Sequence, residues 1–156
     1  MSAATHVVCF GNIWQGDDGL GMHVYERLRR RRDLPAGVRL LEGGVAGLAA
    51  VPHFAGCAKA VVVDAVRCGA AVGRVVRLAR GELAGPAAPA SLHGLGVNEL
   101  LALLPLHYPR RAAPEVVVIG AEIGAVRPFT STLSPEVEAA VEEVIGAVRR
   151  ECTRSG

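Results

Sequence analysis

The chain has 156 residues and a formal net charge of +2; 51% of its residues are apolar and only 4% are aromatic. This length fits one domain, residues 1–156, with a core of Val, Leu, Ile and Ala, and no stretch reaches the roughly 20 apolar residues of a membrane span. Because no membrane span is found, we expect a cytoplasmic protein with no membrane partner, and we expect it to be a monomer. The small net charge argues against a nucleic-acid partner, and the four scattered cysteines indicate neither a disulfide framework nor a thiolate zinc site.

The first predicted strand is the apolar run at residues 6–10 (HVVCF), and a glycine-rich loop over residues 11–19 follows it. Apolar residues then recur at every fourth position from Leu20 to Leu28, which predicts a helix. An arginine-rich run, residues 27–32, closes this helix. Cations complement the negative end of a helix dipole, which favours a solvated helix end over the alternative, a docking patch for an acidic partner.

Two further strands are predicted, at residues 38–41 and at residues 60–63, and the second of them ends at Asp64. A helix of small residues over residues 46–54 separates the two strands. This alternation of strand and helix is typical of a parallel sheet with right-handed crossovers.

The segment at residues 73–78 is predicted to be an antiparallel edge strand. It follows Asp64 too closely for a crossover helix, since parallel returns need about a dozen residues or more. The chain then passes His93 and enters a helix over residues 97–104, which Pro105 is expected to end.

A fifth apolar strand, residues 115–120, and a last helix complete the prediction. The last helix begins with Ser134 as N-cap and Pro135 in its first turn. The predicted fold is therefore a single-domain, three-layer α/β sandwich. It has a five-stranded, mostly parallel sheet, one antiparallel edge strand and helices on both faces.

Acidic side chains are predicted at the carboxyl ends of two neighbouring strands. Asp17 and Asp18 follow the first strand, and Asp64 follows the third, which commonly pairs with the first in doubly wound sheets. Converging carboxylates favour a cation or a shared proton, and His93 could reach the same rim. Two carboxylates and an imidazole suit a divalent transition metal such as Ni, Zn or Mn.

Each of these residues also has a structural alternative. One acid of the Asp17–Asp18 pair could cap the following helix, Asp64 could accept a hydrogen bond from a turn amide, and His93 could be an ordinary loop histidine. The sole tryptophan, Trp14, is predicted to pack the acidic loop against the body of the protein, with contact to a partner as its alternative.

Other functional classes fit the sequence less well. The G-x-G-x-x-G dinucleotide spacing and the motifs of nucleophilic hydrolases and zinc proteases are absent. A phospho-acceptor receiver domain needs a lysine after its fifth strand, whereas the only lysine here, Lys59, precedes the third. A magnesium-dependent phosphohydrolase would need phosphate-binding cations at the rim, where Arg67 is the sole candidate.

Five motifs, in this order along the chain, resemble those of the hydrogenase maturation endopeptidases. They are residues 11–21 (GNIWQGDDGLG), residues 42–47 (EGGVAG), residues 63–65 (VDA), residues 92–95 (LHGL) and residues 133–137 (LSPEV). The resemblance implies a protease that removes a C-terminal extension from the large-subunit precursor of a nickel-iron hydrogenase once nickel has been inserted. One departure is Val45, where the family usually has threonine.

The resemblance also implies roles for individual residues. Asp18, Asp64 and His93 match the metal-contacting positions, and Asp18 and Asp64 are also the candidate catalytic acids of an aspartic-type endopeptidase. Nickel would be supplied by the substrate, and no organic cofactor is implied. The alternative from another class is a non-proteolytic nickel-sensing module or metallochaperone for hydrogenase assembly.

Overall fold

A five-stranded sheet forms the centre of the computed structural model, which describes residues 4–79, 82, 97–108 and 113–154. The strands are β1 (Thr5–Phe10), β2 (Val38–Gly44), β3 (Lys59–Val66), β4 (Val75–Ala79) and β5 (Glu115–Glu122). Their order across the sheet is β2-β1-β3-β5-β4, and every neighbouring pair is parallel except β4 and β5. The predicted mostly parallel sheet with one antiparallel edge strand is confirmed.

Helical segments cover both faces of this sheet. They are α1 (Leu20–Arg31), α2 (Val97–His107), α3 (Pro135–Thr153) and two 3-10 segments, Gly16–Gly19 and Gly47–Phe54. Buried residues of α1 and α3 share one core with the sheet, and buried residues of α2 and the second 3-10 segment share another. The layers are therefore helix, sheet and helix, as predicted.

Both faces of β3 are buried, which explains its unbroken apolar sequence. Val61 and Val63 face the core beneath α1 and α3, whereas Val62 faces the core beneath α2. The helix α1 lies very close to the sheet because its first turn carries Gly21. A Cβ at this position would lie 1.9 Å from the carbonyl oxygen of Phe10.

Several predicted boundaries are wrong. β2 continues to Gly44, β4 begins at Val75 and β5 continues to Glu122. Two further differences have a physical explanation. β3 does not end at Asp64 but continues to Val66, because its pairing with β5 extends over the next two residues. Pro105 does not end α2, which runs to His107. Pro105 lacks the amide hydrogen bond of this turn and its ring crowds the preceding turn, but the helix continues for only two more residues, so little helix depends on the lost bond.

The arginine-rich end of α1 is fastened to α3. Arg27 pairs with Glu138, and Arg31 pairs with Glu142. The arginine-rich run therefore closes a helix, as predicted, and two of its arginines also join α1 to α3. In the described part of the chain, no helix is both long enough and apolar enough to cross a membrane.

Candidate functional site

The two adjacent acids of the first loop have different surroundings, although each is only 4% exposed. Both lie in the 3-10 segment that leads into α1. The carboxylate of Asp17 accepts two hydrogen bonds from Ser134, at 2.6 Å from the amide nitrogen and at 2.8 Å from the hydroxyl oxygen. Asp17 therefore joins the first loop to the start of α3.

Ser134 is the N-cap of α3, as predicted, but its hydroxyl does not cap its own helix. It donates to Asp17 instead. The hypothesis that an acid of the pair caps α1 receives no support, because α1 has no side-chain N-cap hydrogen bond. The contact between Asp17 and Ser134 was missed from the sequence, since nothing local in either motif connects residues so far apart.

The backbone of the first loop is fastened on two sides. Gly11 donates to the carbonyl oxygen of Gly44 at the end of β2, at 3.0 Å. On the other side, Gly16 donates to the carbonyl oxygen of Thr130 at 2.7 Å, and Thr130 donates to that of Trp14 at 3.1 Å. These bonds hold the acidic turn between the edge strand and the segment that precedes α3.

Asp18 lies where the loop folds back on itself. A Cβ at Gly11 would lie 2.7 Å from the carbonyl oxygen of Asp18, so the absence of a side chain at Gly11 permits this close approach. The turn that carries Asp18 also contacts β3, the strand that carries Asp64. Both acids thus belong to the same rim, at the carboxyl ends of the parallel strands.

Asp64 is 3% exposed, and its Oδ1 accepts a hydrogen bond of 2.9 Å from the amide of Ala65. Its neighbour across the sheet is Gly120 of β5. A Cβ at Gly120 would lie 2.2 Å from the carbonyl oxygen of Asp64, so glycine is needed beside this acid. Alternation along β3 places Asp64 on the face that Val62 and Val66 share, which α2 covers.

His93, the third predicted ligand, lies outside the described residues. Within the described ranges, no group of three or more His, Cys, Asp or Glu side chains is arranged to hold a metal ion. Cys9 lies on the strand beside Asp64; burial and, secondarily, the charge of Asp64 raise the pKa of its thiol far above the usual range. Cys9 is therefore a neutral buried side chain and is poorly suited to act as a nucleophile.

The prediction that Trp14 packs the acidic loop against the body of the protein is wrong, because Trp14 is 62% exposed. The main chain of Trp14, not its ring, fastens the loop, through its bonds to Thr130 and to the Asn12 side chain. Trp14 borders a groove of about 330 Å³ between the first loop, the end of β2 and α1.

The fold and this rim define a doubly wound α/β domain with buried acids at the carboxyl ends of two adjacent parallel strands. Comparison with known proteins gives the family. Residues 22–151 match the hydrogenase maturation protease family. Because this match covers most of the chain, the chain belongs to that family.

A hydrogenase expression/formation protein, HupM of Azotobacter chroococcum, is 32% identical over 143 residues, which are 89% of this chain and 66% of that protein. The chain thus spans about two thirds of the length of this curated relative. The hydrogenase maturating endopeptidase HybD from E. coli superposes with a TM-score of 0.78 at 26% identity, covering 96% of this chain and 94% of that one. A [NiFe] hydrogenase maturation protease HybD from Thermococcus kodakarensis, 24% identical, has the same fold with a TM-score of 0.78 over 96% and 99% of the chains.

Proposed function

We propose that this chain is an endopeptidase that removes the C-terminal extension of a nickel-iron hydrogenase large-subunit precursor after nickel insertion. The observation that carries the proposal is the burial of Asp18 and Asp64 at one rim, with the turn of the first acid packed against the strand of the second. Membership of the hydrogenase maturation protease family supports the same activity. We further propose that the protein acts in the cytoplasm as a monomer.

The nickel of the substrate would be contacted by Asp18, Asp64 and His93. Asp17 is a poorer candidate because both of its carboxylate oxygens accept hydrogen bonds from Ser134. His93 shortly precedes α2 in the sequence, and α2 covers the face on which Asp64 lies. Carboxylate and imidazole donors together suit a divalent transition metal.

Two routes to peptide hydrolysis are open to such a site. The substrate's nickel could polarise the scissile carbonyl, or the carboxylate of Asp18 or Asp64 could act as general base toward a water molecule. In both routes, only a nickel-loaded precursor presents the ion that the side chains contact. The contact would therefore make cleavage conditional on completed metal insertion.

The direct test compares nickel-loaded and nickel-free precursor, each incubated with the purified protein and followed by mass spectrometry. We expect loss of a C-terminal peptide from the loaded precursor only. Equal cleavage of both forms would refute nickel-dependent recognition. Tight binding without any change in mass would favour a nickel-sensing binding module over a protease.

A second test addresses the site residues. Asp18→Asn, Asp64→Asn and His93→Gln should each lower processing about 100-fold or more, because each removes a group that contacts the ion or the reacting water. Glu115→Gln is the matched control, since Glu115 is an exposed acid at the opposite end of the sheet. Circular dichroism would establish that the variants are folded. Parental processing rates in folded variants would show that the site is assigned wrongly.

A further inference from the structure

The groove beside Trp14 has both apolar walls and acidic side chains. Trp14 and Val45 border it from two loops, and Met22 and Glu26 border it from one face of α1. Glu42, near the end of the edge strand β2, also lines the groove. In β2, Glu42 is the register partner of the buried Cys9, so its exposed side chain lies on the same face of the sheet as α1.

The two acids of the groove differ in their partners. Glu26 accepts a hydrogen bond of 3.0 Å from Arg29 and lies 3.8 Å from Arg30. In contrast, Glu42 takes part in none of the salt bridges found among the described residues. Its charge is thus available to a ligand that enters the groove.

We propose that this groove is a subsite for the side chain of a basic residue, arginine or lysine, of the polypeptide substrate. The aliphatic stem of such a side chain would pack on Met22 and Val45, and its cation would pair with Glu42. The aromatic ring of the exposed Trp14, which also borders the groove, can attract a cation as well. A purely apolar occupant would desolvate the Glu42 carboxylate without compensation, and an anionic one would be repelled.

The position of the groove connects it to the candidate active site, so this inference rests on the proposed function. Gly11, Asn12 and Ile13 line the groove, and the backbone of Asp18 and Gly19 packs against these same residues. A basic residue held beside Trp14 would therefore hold its own segment of the precursor next to the acidic rim.

The groove is formed before any ligand enters. Its two loops are joined by the hydrogen bond of 3.0 Å from Gly11 to Gly44, and the Asn12 carboxamide oxygen accepts a hydrogen bond of 3.0 Å from the Trp14 amide. A preformed site loses little freedom on binding, which favours specific recognition of one side chain.

Because Trp14 is the only tryptophan, its fluorescence reports on occupancy of the groove without any need for cleavage. The probes are acetylated tetrapeptide amides, Ala-Ala-Arg-Ala and analogues in which citrulline or norleucine replaces arginine. We expect saturable quenching or a spectral shift with the arginine peptide and at least tenfold weaker binding of the other two. Equal affinity for the norleucine peptide, or no saturable change with any peptide, would overturn the proposal.

Substitutions test whether Glu42 is the residue that binds the arginine side chain of the peptide. Glu42→Gln should weaken the arginine peptide about tenfold, whereas Glu115→Gln should leave its affinity unchanged. Val45→Arg should abolish binding by placing a cation beside Glu42, and Val45→Gln should retain it within about threefold; Val45 is 65% exposed, so both variants should fold. Binding that persists in Val45→Arg would contradict the assignment.

The last test uses the hydrogenase precursor itself as substrate. Each Lys and Arg of its C-terminal segment is replaced by alanine, and KM and kcat are measured with the parental protein and with Val45→Arg. One replacement should raise KM at least tenfold for the parental protein and have no further effect on Val45→Arg. If the parental protein cleaves every replaced precursor with unchanged KM, the subsite is refuted while the protease function stands. If the intact precursor is not cleaved at all, the protease function fails, and the peptide titration alone decides the subsite.

Discussion

Asp17 resembles a metal ligand in the sequence, but in the structure its carboxylate accepts two hydrogen bonds from Ser134. These bonds position the acidic turn on α3. Removing either partner leaves buried polar groups unsatisfied, at a cost of about 1–3 kcal/mol. We therefore expect Asp17→Ala and Ser134→Ala each to destabilise by about this amount in urea unfolding. The double variant should lose clearly less than the sum of the single losses, because the same contact is counted twice.

Ser131→Ala is the control for this prediction, since Ser131 is an exposed serine of the same segment. Its stability should stay within about 0.5 kcal/mol of the parent. Strictly additive losses in the Asp17 and Ser134 variants would contradict a direct energetic coupling of the two side chains.

Gly21 permits the close approach of α1 to the sheet, and a methyl group there would collide with backbone. The added Cβ would lie 1.9 Å from the Phe10 carbonyl oxygen and 2.8 Å from that of Val63. Gly21→Ala should therefore cost about 3 kcal/mol or more, or prevent folding. Gly146→Ala, in α3, meets only the end of the Arg150 side chain and should stabilise by up to about 1 kcal/mol. Thermal unfolding of both variants measures the contrast, and equal effects would argue against the close packing of α1.

At the scale of secondary-structure elements, Glu151 ties the last turn of α3 to two strands. Its carboxylate lies 2.7 Å from Lys59 Nζ of β3 and 2.8 Å from Arg77 Nε of β4. The hydrogen bond from Arg77, with a further contribution from Lys59, lowers the pKa of Glu151 to about 2. Because the folded-state pKa lies below the ordinary value of 4.5 for a glutamate, the stabilisation is present above about pH 4.5 and is lost as the pH falls toward 2.

We expect Glu151→Gln to be less stable than the parent at pH 7 by an amount on the order of 3 kcal/mol, since it also leaves Lys59 buried without its counter-charge. The difference should shrink as the pH is lowered from 6 to 3, as measured by urea unfolding. Glu142→Gln, which breaks only the exposed pair with Arg31, should have little effect at either pH. A difference that is independent of pH would contradict the ionic role of Glu151.

The elements that the sequence predicted well are those with local signals. Apolar runs placed all five strands, and the Ser134-Pro135 start placed α3. The contacts that it did not predict join distant residues: Asp17 and Ser134 are 117 positions apart, and Lys59 and Glu151 are 92 apart. Such pairs have no local spacing to recognise, because only the completed sheet brings them together.

The candidate site was also predictable only in part. Topology alone was sufficient to bring the acids after β1 and in β3 to one rim, because β1 and β3 are neighbours in the sheet. It was not sufficient to distinguish Asp17 from Asp18, since adjacent acids in a loop have the same sequence context. The packing of Trp14 was predicted wrongly for a related reason: a tryptophan is usually buried, and only the folded protein shows that this one is exposed.

At the scale of the whole molecule, the acidic rim is accompanied by exposed aromatic side chains. Phe129 is 94% exposed and has a left-handed backbone with φ of 58°. Its neighbour Thr130 donates a hydrogen bond to the carbonyl oxygen of Trp14, so the two aromatic residues lie on connected segments. An exposed ring on a left-handed backbone adds little to the stability of the free protein, so we propose that Phe129 becomes buried when the precursor docks.

If the precursor docks on this surface, Phe129→Gly separates binding from stability. Glycine adopts the left-handed conformation without strain, so the free energy of unfolding should change by less than about 1 kcal/mol. Loss of a ring that is buried on docking should raise KM for the precursor about tenfold or more and leave kcat largely unchanged. Leu106→Ala is the matched control, because Leu106 is 74% exposed on α2 and its loss should alter neither stability nor KM. Processing by Phe129→Gly with the parental KM would show that the exposed ring takes no part in docking, whereas an equal rise in KM for both variants would indicate a general effect of surface hydrophobicity.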